Sequence, residues 1–244
     1  MIKDALRFIT ELKEAAMEPK VLEIQGKTYC NKDLKRYGRE EKADAIKAST
    51  LTSLLDYIKN CSVELRDHMI LHVVSPTRVE LYSGLNEERD REELFVSSAV
   101  VPNFRFDQWY DQERFIIELQ ANFEVSDDLL TVLKVSGNVE AKTTGTYGDD
   151  GVSQKTTIKQ GIASKTDVIV PNPVTLFPYR TFLEVEQPSS QFVFRITDGG
   201  NGPQFKLIEA EGGLWKNVAM TNIKAYLEQN LADFADADRI TIIA

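Results

Sequence analysis

The chain has 244 residues, of which 42% are hydrophobic and 27% are charged. This composition is ordinary for a globular protein, and the length allows a core that needs no disulfide or metal to stabilise it. The 38 acidic and 29 basic residues give a net charge of -9, which opposes attraction to nucleic-acid backbones and to anionic membranes.

The sequence favours a reducing compartment and no membrane partner. Cys30 and Cys61 are too few for a disulfide framework, so we predict free thiols. No apolar run approaches the roughly 20 residues that cross a bilayer, and the charged N-terminus differs from a signal peptide. We therefore expect a cytoplasmic protein in the cytosol of a host cell.

The charge is unevenly distributed along the chain. Residues 84–128 hold twelve acids and four bases, which accounts for nearly the whole acidic excess. Residues 134–165 hold five bases and three acids. The pattern predicts one acidic face and one mildly basic segment.

Residues 1–48 are predicted to be a separate N-terminal part. Apolar residues at helical spacing predict an amphipathic helix over residues 2–18. Two short strands at 21–24 and 27–30 flank a turn and predict a hairpin. The charged stretch 31–48 is predicted to be a solvated linker.

Residues 49–244 are predicted to form the main domain, of α+β class. Strand-like and helix-like segments are grouped and do not alternate, which favours a mostly antiparallel sheet packed by amphipathic helices. The C-terminal part predicts a three-strand meander at 181–187, 191–197 and 204–210. The other predicted elements are helices at 51–58, 106–123, 127–135 and 215–231, and strands at 68–74, 78–82, 94–101, 167–170 and 240–243.

The segment at about 139–161 predicts a long protruding β-hairpin, whose strands 139–147 and 152–160 flank a Gly-Asp-Asp-Gly turn. Both strands are rich in Thr and Lys and poor in large apolar residues. Burial within their own fold therefore cannot offset the conformational entropy that these strands lose when they become ordered. The arm is therefore either mobile or packed on another surface, and the leading hypothesis is that it pairs across the subunits of a homo-oligomer. The predicted contact residues are Tyr147, Asp149, Asp150 and Val152.

The sequence contains no recognised nucleophile, phosphate-loop or dinucleotide motif. His68 and His72 lie four residues apart in a predicted strand, and with Glu80 or Asp67 they suggest a metal-dependent enzyme as one alternative. Two strand histidines near a turn are the simpler interpretation, because metal sites need three or four donors at known spacing. We predict no catalytic residue, no metal and no cofactor.

The basic segment is a candidate anion-binding site. Its lysines, with one arginine from a later segment, suit a nucleotide or a phosphate backbone. A lysine-rich edge that discourages aggregation is the alternative interpretation. Tyr147 is the one aromatic residue on the arm, which gives little support to the stacking of single-stranded bases. The predicted anion-binding residues are Lys142, Lys155, Lys159, Lys165 and Arg180.

Several stretches of the chain, taken in order and spacing, resemble one protein family. They are residues 18–28, 51–58, 112–122, 140–142, 148–151, 156–161, 169–171 and 177–178. Together they resemble the YfdQ-like family of phage and prophage proteins, over most of the chain from Glu18 to Leu231. The first helix and the charged linker depart from the family pattern.

The resemblance implies a phage gene, often placed among early genes for replication and recombination, and it carries over no catalytic residues. The leading hypothesis is a non-enzymatic phage accessory protein that self-assembles and binds or sequesters a small anionic ligand or a host protein, with a counter-defence role. The alternative is a nucleic-acid-related accessory factor in phage replication or recombination, which the net charge disfavours.

Overall fold

The computed structural model describes residues 2–32, 42–61, 63–65, 68–86, 89–139, 153–160, 164–236 and 238–244. The chain forms two compact units, Met1–Lys42 and Ala43–Ala244. The architecture is α+β, with mostly antiparallel sheets and one mixed sheet. Among the described residues, no helix has both the length and the apolar content that a bilayer crossing requires.

The smaller unit contains one helix and one hairpin. Helix α1 (Ile2–Met17) is followed by strands β1 (Val21–Ile24) and β2 (Lys27–Cys30), which pair antiparallel. The helix and both strands lie where the sequence predicts them, because all three follow from local patterns of apolar and turn residues. Part of the predicted linker, residues 33–41, lies outside the described residues.

The larger unit is built from the remaining elements. In chain order they are β3 (Ile46–Ala48), α2 (Leu51–Asn60), β4 (Met69–Ser75), β5 (Arg78–Ser83), β6 (Glu93–Ser98), β7 (Tyr110–Asp111), α3 (Gln112–Asn122), α4 (Asp127–Asn138), β8 (Ser153–Gln160), β9 (Ser164–Pro171), β10 (Val174–Leu176), β11 (Ser190–Asp198), β12 (Pro203–Glu209), α5 (Trp215–Asn230), α6 (Ala232–Asp236) and β13 (Ile240–Ile243).

The first core lies between a five-stranded mixed sheet and helices α2 and α5. The strand order is β13-β4-β5-β6-β3, with a parallel pair at each edge and antiparallel pairs between them. On β4, alternate residues Met69, Leu71 and Val73 are fully buried, as the period of two in a strand requires. Thr50 caps α2 by accepting a hydrogen bond from the Ser53 amide at 3.2 Å.

The second core lies between a four-stranded antiparallel sheet and helices α3 and α4. The strand order is β10-β11-β12-β7. The core is largely aromatic, and the rings of Phe115 and Phe205 stack with centroids 5.3 Å apart. Ser126 caps α4 as the sequence predicts, by accepting a hydrogen bond from the Leu129 amide at 3.2 Å.

Strands β8 and β9 form a separate antiparallel two-stranded sheet. Strand β8 coincides with the second strand of the predicted arm, and in the described residues its partner is β9. Residues 140–152 lie outside the description, so the predicted partner strand and turn fall almost entirely there. The same is true of the predicted contact residues Tyr147, Asp149, Asp150 and Val152.

Three predicted elements differ from the structure. The predicted linker over residues 31–48 includes strand β3 (Ile46–Ala48), which pairs parallel with β6 in the larger unit. The central helix begins at Gln112 and not near residue 106, because Asp111 caps it by accepting a hydrogen bond from the Arg114 amide at 2.9 Å. Residues 181–187 form a loop and not a strand. The Gln187 side chain folds back on this loop, accepting from the Arg180 amide at 2.9 Å and donating to the Phe182 carbonyl at 3.0 Å. Strand β10 pairs with β11 instead.

Candidate functional site

Arg180 lies in a buried polar network, with its side chain 10% exposed. Its guanidinium donates to Glu209 Oε1 at 2.6 Å and to Ser190 Oγ, and its Cζ lies 4.2 Å from the centre of the Trp215 ring. Ser190 in turn donates to Glu211 Oε1 at 2.5 Å. The cation is therefore bonded to a carboxylate and stacked on an aromatic face, the geometry that arginine suits best.

The electrostatics of Arg180 argue against a role as the primary anion ligand. Burial lowers its pKa, and the hydrogen bond and charge of Glu209 oppose that effect. Its Nε atom is buried and has no hydrogen-bond partner among the described residues. Because Glu209 already neutralises this charge, the network is suited to holding strands together.

Three of the predicted lysines fall on one face of the β8-β9 sheet. Lys159 is directly opposite Lys165 in the register, and Lys155 is four residues earlier on β8 and therefore on the same face. Asp167, opposite Thr157, is also on this face. The other face carries no charged residue in these two strands. Of the five predicted anion-binding residues, which include Arg180, Lys142 lies outside the described residues.

In the β8-β9 register Lys159 is paired with Lys165, and Lys155 lies four residues from Lys159 along β8, a separation of about 14 Å at the usual rise of a strand.

The two histidines lie on and just before strand β4. His68 precedes β4, with Nδ1 2.9 Å from the Asp238 carbonyl oxygen and Nε2 3.1 Å from Thr241 Oγ1. His72 lies on β4 opposite Glu80. Asp67 lies outside the described residues, and among those that the structure describes no three His, Cys, Asp or Glu side chains are grouped to hold a metal ion.

Glu80 is buried and is bonded to its neighbours on β5. It accepts hydrogen bonds from Arg78 Nε and from the Tyr82 hydroxyl. Burial raises the pKa of Glu80, but the bonds from Tyr82 and Arg78 outweigh it, so that the pKa is lowered overall. The hydrogen bond to Glu80 also raises the pKa of Tyr82 to about 12. The carboxylate is thus satisfied by two donors and stabilises the sheet.

An acidic cavity of about 480 Å³ lies beside the first core. Tyr57, in its wall, donates a hydrogen bond to Glu64 Oε2 at 3.0 Å. Burial raises the pKa of Tyr57, and the hydrogen bond and charge of Glu64 raise it further. Glu92 Oε1 accepts from the Ala43 amide at 3.1 Å. Carboxylates in the wall disfavour an anion here. The sequence predicts an acidic face for residues 84–128, but it does not show that residues near 44 and 64 join it. The acidic residues of the wall are Asp44, Glu64, Glu92 and Glu93.

Comparisons with protein-family models, with curated proteins and with solved structures give no match to this chain.

Replacing Arg180 tests whether it is structural. Arg180→Met keeps the length of the side chain but leaves Glu209 without its cation, and we expect a loss of about 3 kcal/mol in the free energy of unfolding by urea. The control Arg114→Met removes an exposed pair with Glu118 at 3.8 Å, and we expect a loss below about 0.5 kcal/mol. Unchanged stability together with weaker binding of inorganic pyrophosphate would contradict the structural role.

Replacing Glu80 tests the pH dependence of the sheet. The pKa of Glu80 is lower in the folded state than in the unfolded state. Its ionised carboxylate therefore stabilises the fold at a pH above the pKa of the unfolded state, and this stabilisation is lost as the pH falls through the pKa of the folded state. Between about pH 5 and pH 3, Glu80→Gln should therefore lose less stability than the parent protein. The control Glu228→Gln, at an exposed position, should keep the parental slope in thermal unfolding. Parallel curves for the parent and Glu80→Gln would show that Glu80 contributes nothing to this dependence.

Proposed function

We propose that this chain is a non-enzymatic accessory protein that self-assembles and sequesters a small anionic ligand. The observation that carries the proposal is the β8-β9 register, which sets Lys159 opposite Lys165 with Lys155 on the same face. In the phage setting that the family resemblance implies, removing such a ligand from solution would deprive the host of a signalling nucleotide and so counter its defence. A host protein that presents the same anionic chemistry is a second possible partner.

The charge distribution supports an anionic ligand on the hairpin. Lysine binds phosphate as a point charge with three donors, and lysines at paired strand positions can share one phosphate group. Lys155, about 14 Å along the strand, serves a longer anion with a second charged group. The acidic wall of the cavity near Tyr57 repels the same ligand.

The lysine face can be tested with inorganic pyrophosphate as the probe. We expect Lys159→Gln with Lys165→Gln to weaken binding about tenfold in calorimetry, since roughly 1.4 kcal/mol of favourable charge interaction is lost. Lys155→Gln should have a smaller effect, because pyrophosphate does not span the distance.

The control for this test is Lys47→Gln with Lys59→Gln, which changes two exposed lysines elsewhere in the larger unit by the same total charge. Equal weakening by the control and the test pair would show a general effect of net charge and would contradict the proposed site. The absence of any pyrophosphate binding by the parent protein would contradict it as well.

Self-assembly can be tested by removing the arm. We expect deletion of residues 143–157 to lower the mass of the native oligomer, because an exposed strand edge pairs readily with a second chain. Native mass spectrometry of untagged protein reports the number of subunits and any ligand retained on each. A second variant, Tyr147→Asp with Val152→Asp, changes the arm without shortening it. An oligomer whose mass neither change affects would argue against the arm contact.

A nucleic-acid accessory role is the alternative, favoured by the same lysines and opposed by the net charge of -9. Filter binding of single-stranded DNA over a range of salt separates the two functions. True phosphate contacts weaken steeply as salt rises, with a slope that reports the number of contacts. A slope reduced by about two in Lys159→Gln with Lys165→Gln would support the alternative.

A further inference from the structure

Asp167 is the one acidic residue in the two strands of the β8-β9 sheet. It lies on the lysine face, two residues along the strand from the lysine pair that Lys159 and Lys165 form. A face that bound phosphate by charge alone would gain nothing from a carboxylate at this position, because the carboxylate repels the anion. Asp167 therefore gives the lysine face a second chemical character.

The register places three kinds of residue in order along this face. The lysine pair is at one end, and the next pair on the same face is Thr157 with Asp167. The pair after that is Lys155 with Ile169. Successive pairs on one face are two residues apart, a step of about 7 Å at the usual rise of a strand. Basic, hydrogen-bond-accepting and apolar positions thus follow one another.

A nucleotide presents groups that complement these three kinds of position. Its phosphates carry the negative charge, the edge of its base carries hydrogen-bonding groups, and the flat face of its base makes apolar contacts. The lysine pair suits the phosphates. Ile169 is an apolar position for the face of the base, and Asp167 is the position next to it that meets the edge of the base.

The chemistry of a carboxylate selects among the bases. An ionised carboxylate accepts hydrogen bonds at two oxygens and donates none. Guanine presents two neighbouring donors on one edge, the ring N1–H and the N2 amino group, and these match the two oxygens. Adenine presents an accepting ring nitrogen at the N1 position, and its lone pair would oppose the carboxylate. A contact of this kind rejects the wrong base because polar groups are left unpaired.

We propose that Asp167 is a specificity-determining residue of the lysine face, and that the anionic ligand is a guanine nucleotide. The Asp167 carboxylate accepts hydrogen bonds from guanine N1 and N2, while the lysine pair binds the phosphates. The inference rests on the proposed function, because it names the class of ligand for the same site. It also adds an acidic residue to that site, which a search for positive charge alone overlooks.

The choice of base can be tested by calorimetry on the full-length chain with three nucleoside diphosphates as probes. GDP presents both donors, inosine diphosphate lacks the N2 amino group, and ADP presents an acceptor at N1. All three carry the same phosphates, so a difference in affinity arises from the base. We expect GDP to bind about tenfold more tightly than ADP, with inosine diphosphate between them. Equal affinity for GDP and ADP would overturn the inference.

Asp167→Asn separates recognition of the base from charge, because its expected effects on two probes have opposite signs. GDP should bind about tenfold more weakly, since the amide offers one acceptor oxygen and a donor that opposes the second guanine donor. Pyrophosphate should bind roughly threefold more tightly, since a negative charge is lost two residues from the lysine pair. Tighter binding of pyrophosphate also shows that the variant is folded.

The control Asp56→Asn removes the same charge from an exposed position on α2, and it should keep the parental affinity for both probes. Tighter binding of both GDP and pyrophosphate by Asp167→Asn would make Asp167 a counter-charge to the lysines, and weaker binding of both would make it a support of the hairpin. Either result would overturn the inference and leave the anion site in place. A parent protein that binds no pyrophosphate would instead contradict the proposed function, and the inference with it.

Discussion

The larger unit depends on the buried hydrogen bonds of Arg180, because they fix the loop that joins its two cores. The guanidinium is bonded to Glu209 at the end of β12 and to Ser190 at the start of β11, and it stacks on Trp215 at the start of α5. The next residue, Thr181, donates to the Pro76 carbonyl at 2.5 Å, in the turn between β4 and β5. A buried ion pair contributes little net stability, but breaking it leaves an uncompensated charge, so the loss of either partner destabilises the contact between these elements.

Charge separation is the second organising feature. Carboxylates beside the first core accept hydrogen bonds from the protein itself, as Glu92 does from the Ala43 amide. In the β8-β9 register Lys159 is instead paired with Lys165. In a protein with a net charge of -9, this pair of bases is the location at which we propose that an anion binds.

The sequence predicts those parts of the fold that local pattern determines. The α1 helix, the β1-β2 hairpin and the Ser126 cap depend on residues within a few positions, and all three are confirmed. The prediction of a strand at 181–187 was wrong. The segment contains residues that favour strands, such as Phe182 and Val185, but the side chain of Gln187 bonds its backbone into a loop. Patterns of neighbouring residues in the sequence do not predict a side-chain hydrogen bond of that kind. The lysine face needed the register of β8 against β9, which the sequence does not fix.

The parallel pairing of β13 with β4 has a consequence for synthesis on the ribosome. The hydrogen-bonded neighbours His68 and Asp238 at this edge are 170 residues apart in the chain. At the usual 5 to 20 residues per second, the edge of β4 stays unpaired for roughly ten to thirty seconds while the intervening chain is made. During that interval the nascent chain exposes a strand edge next to the apolar residues of the first core, and a chaperone or a neighbouring nascent chain can bind there before β13 exists.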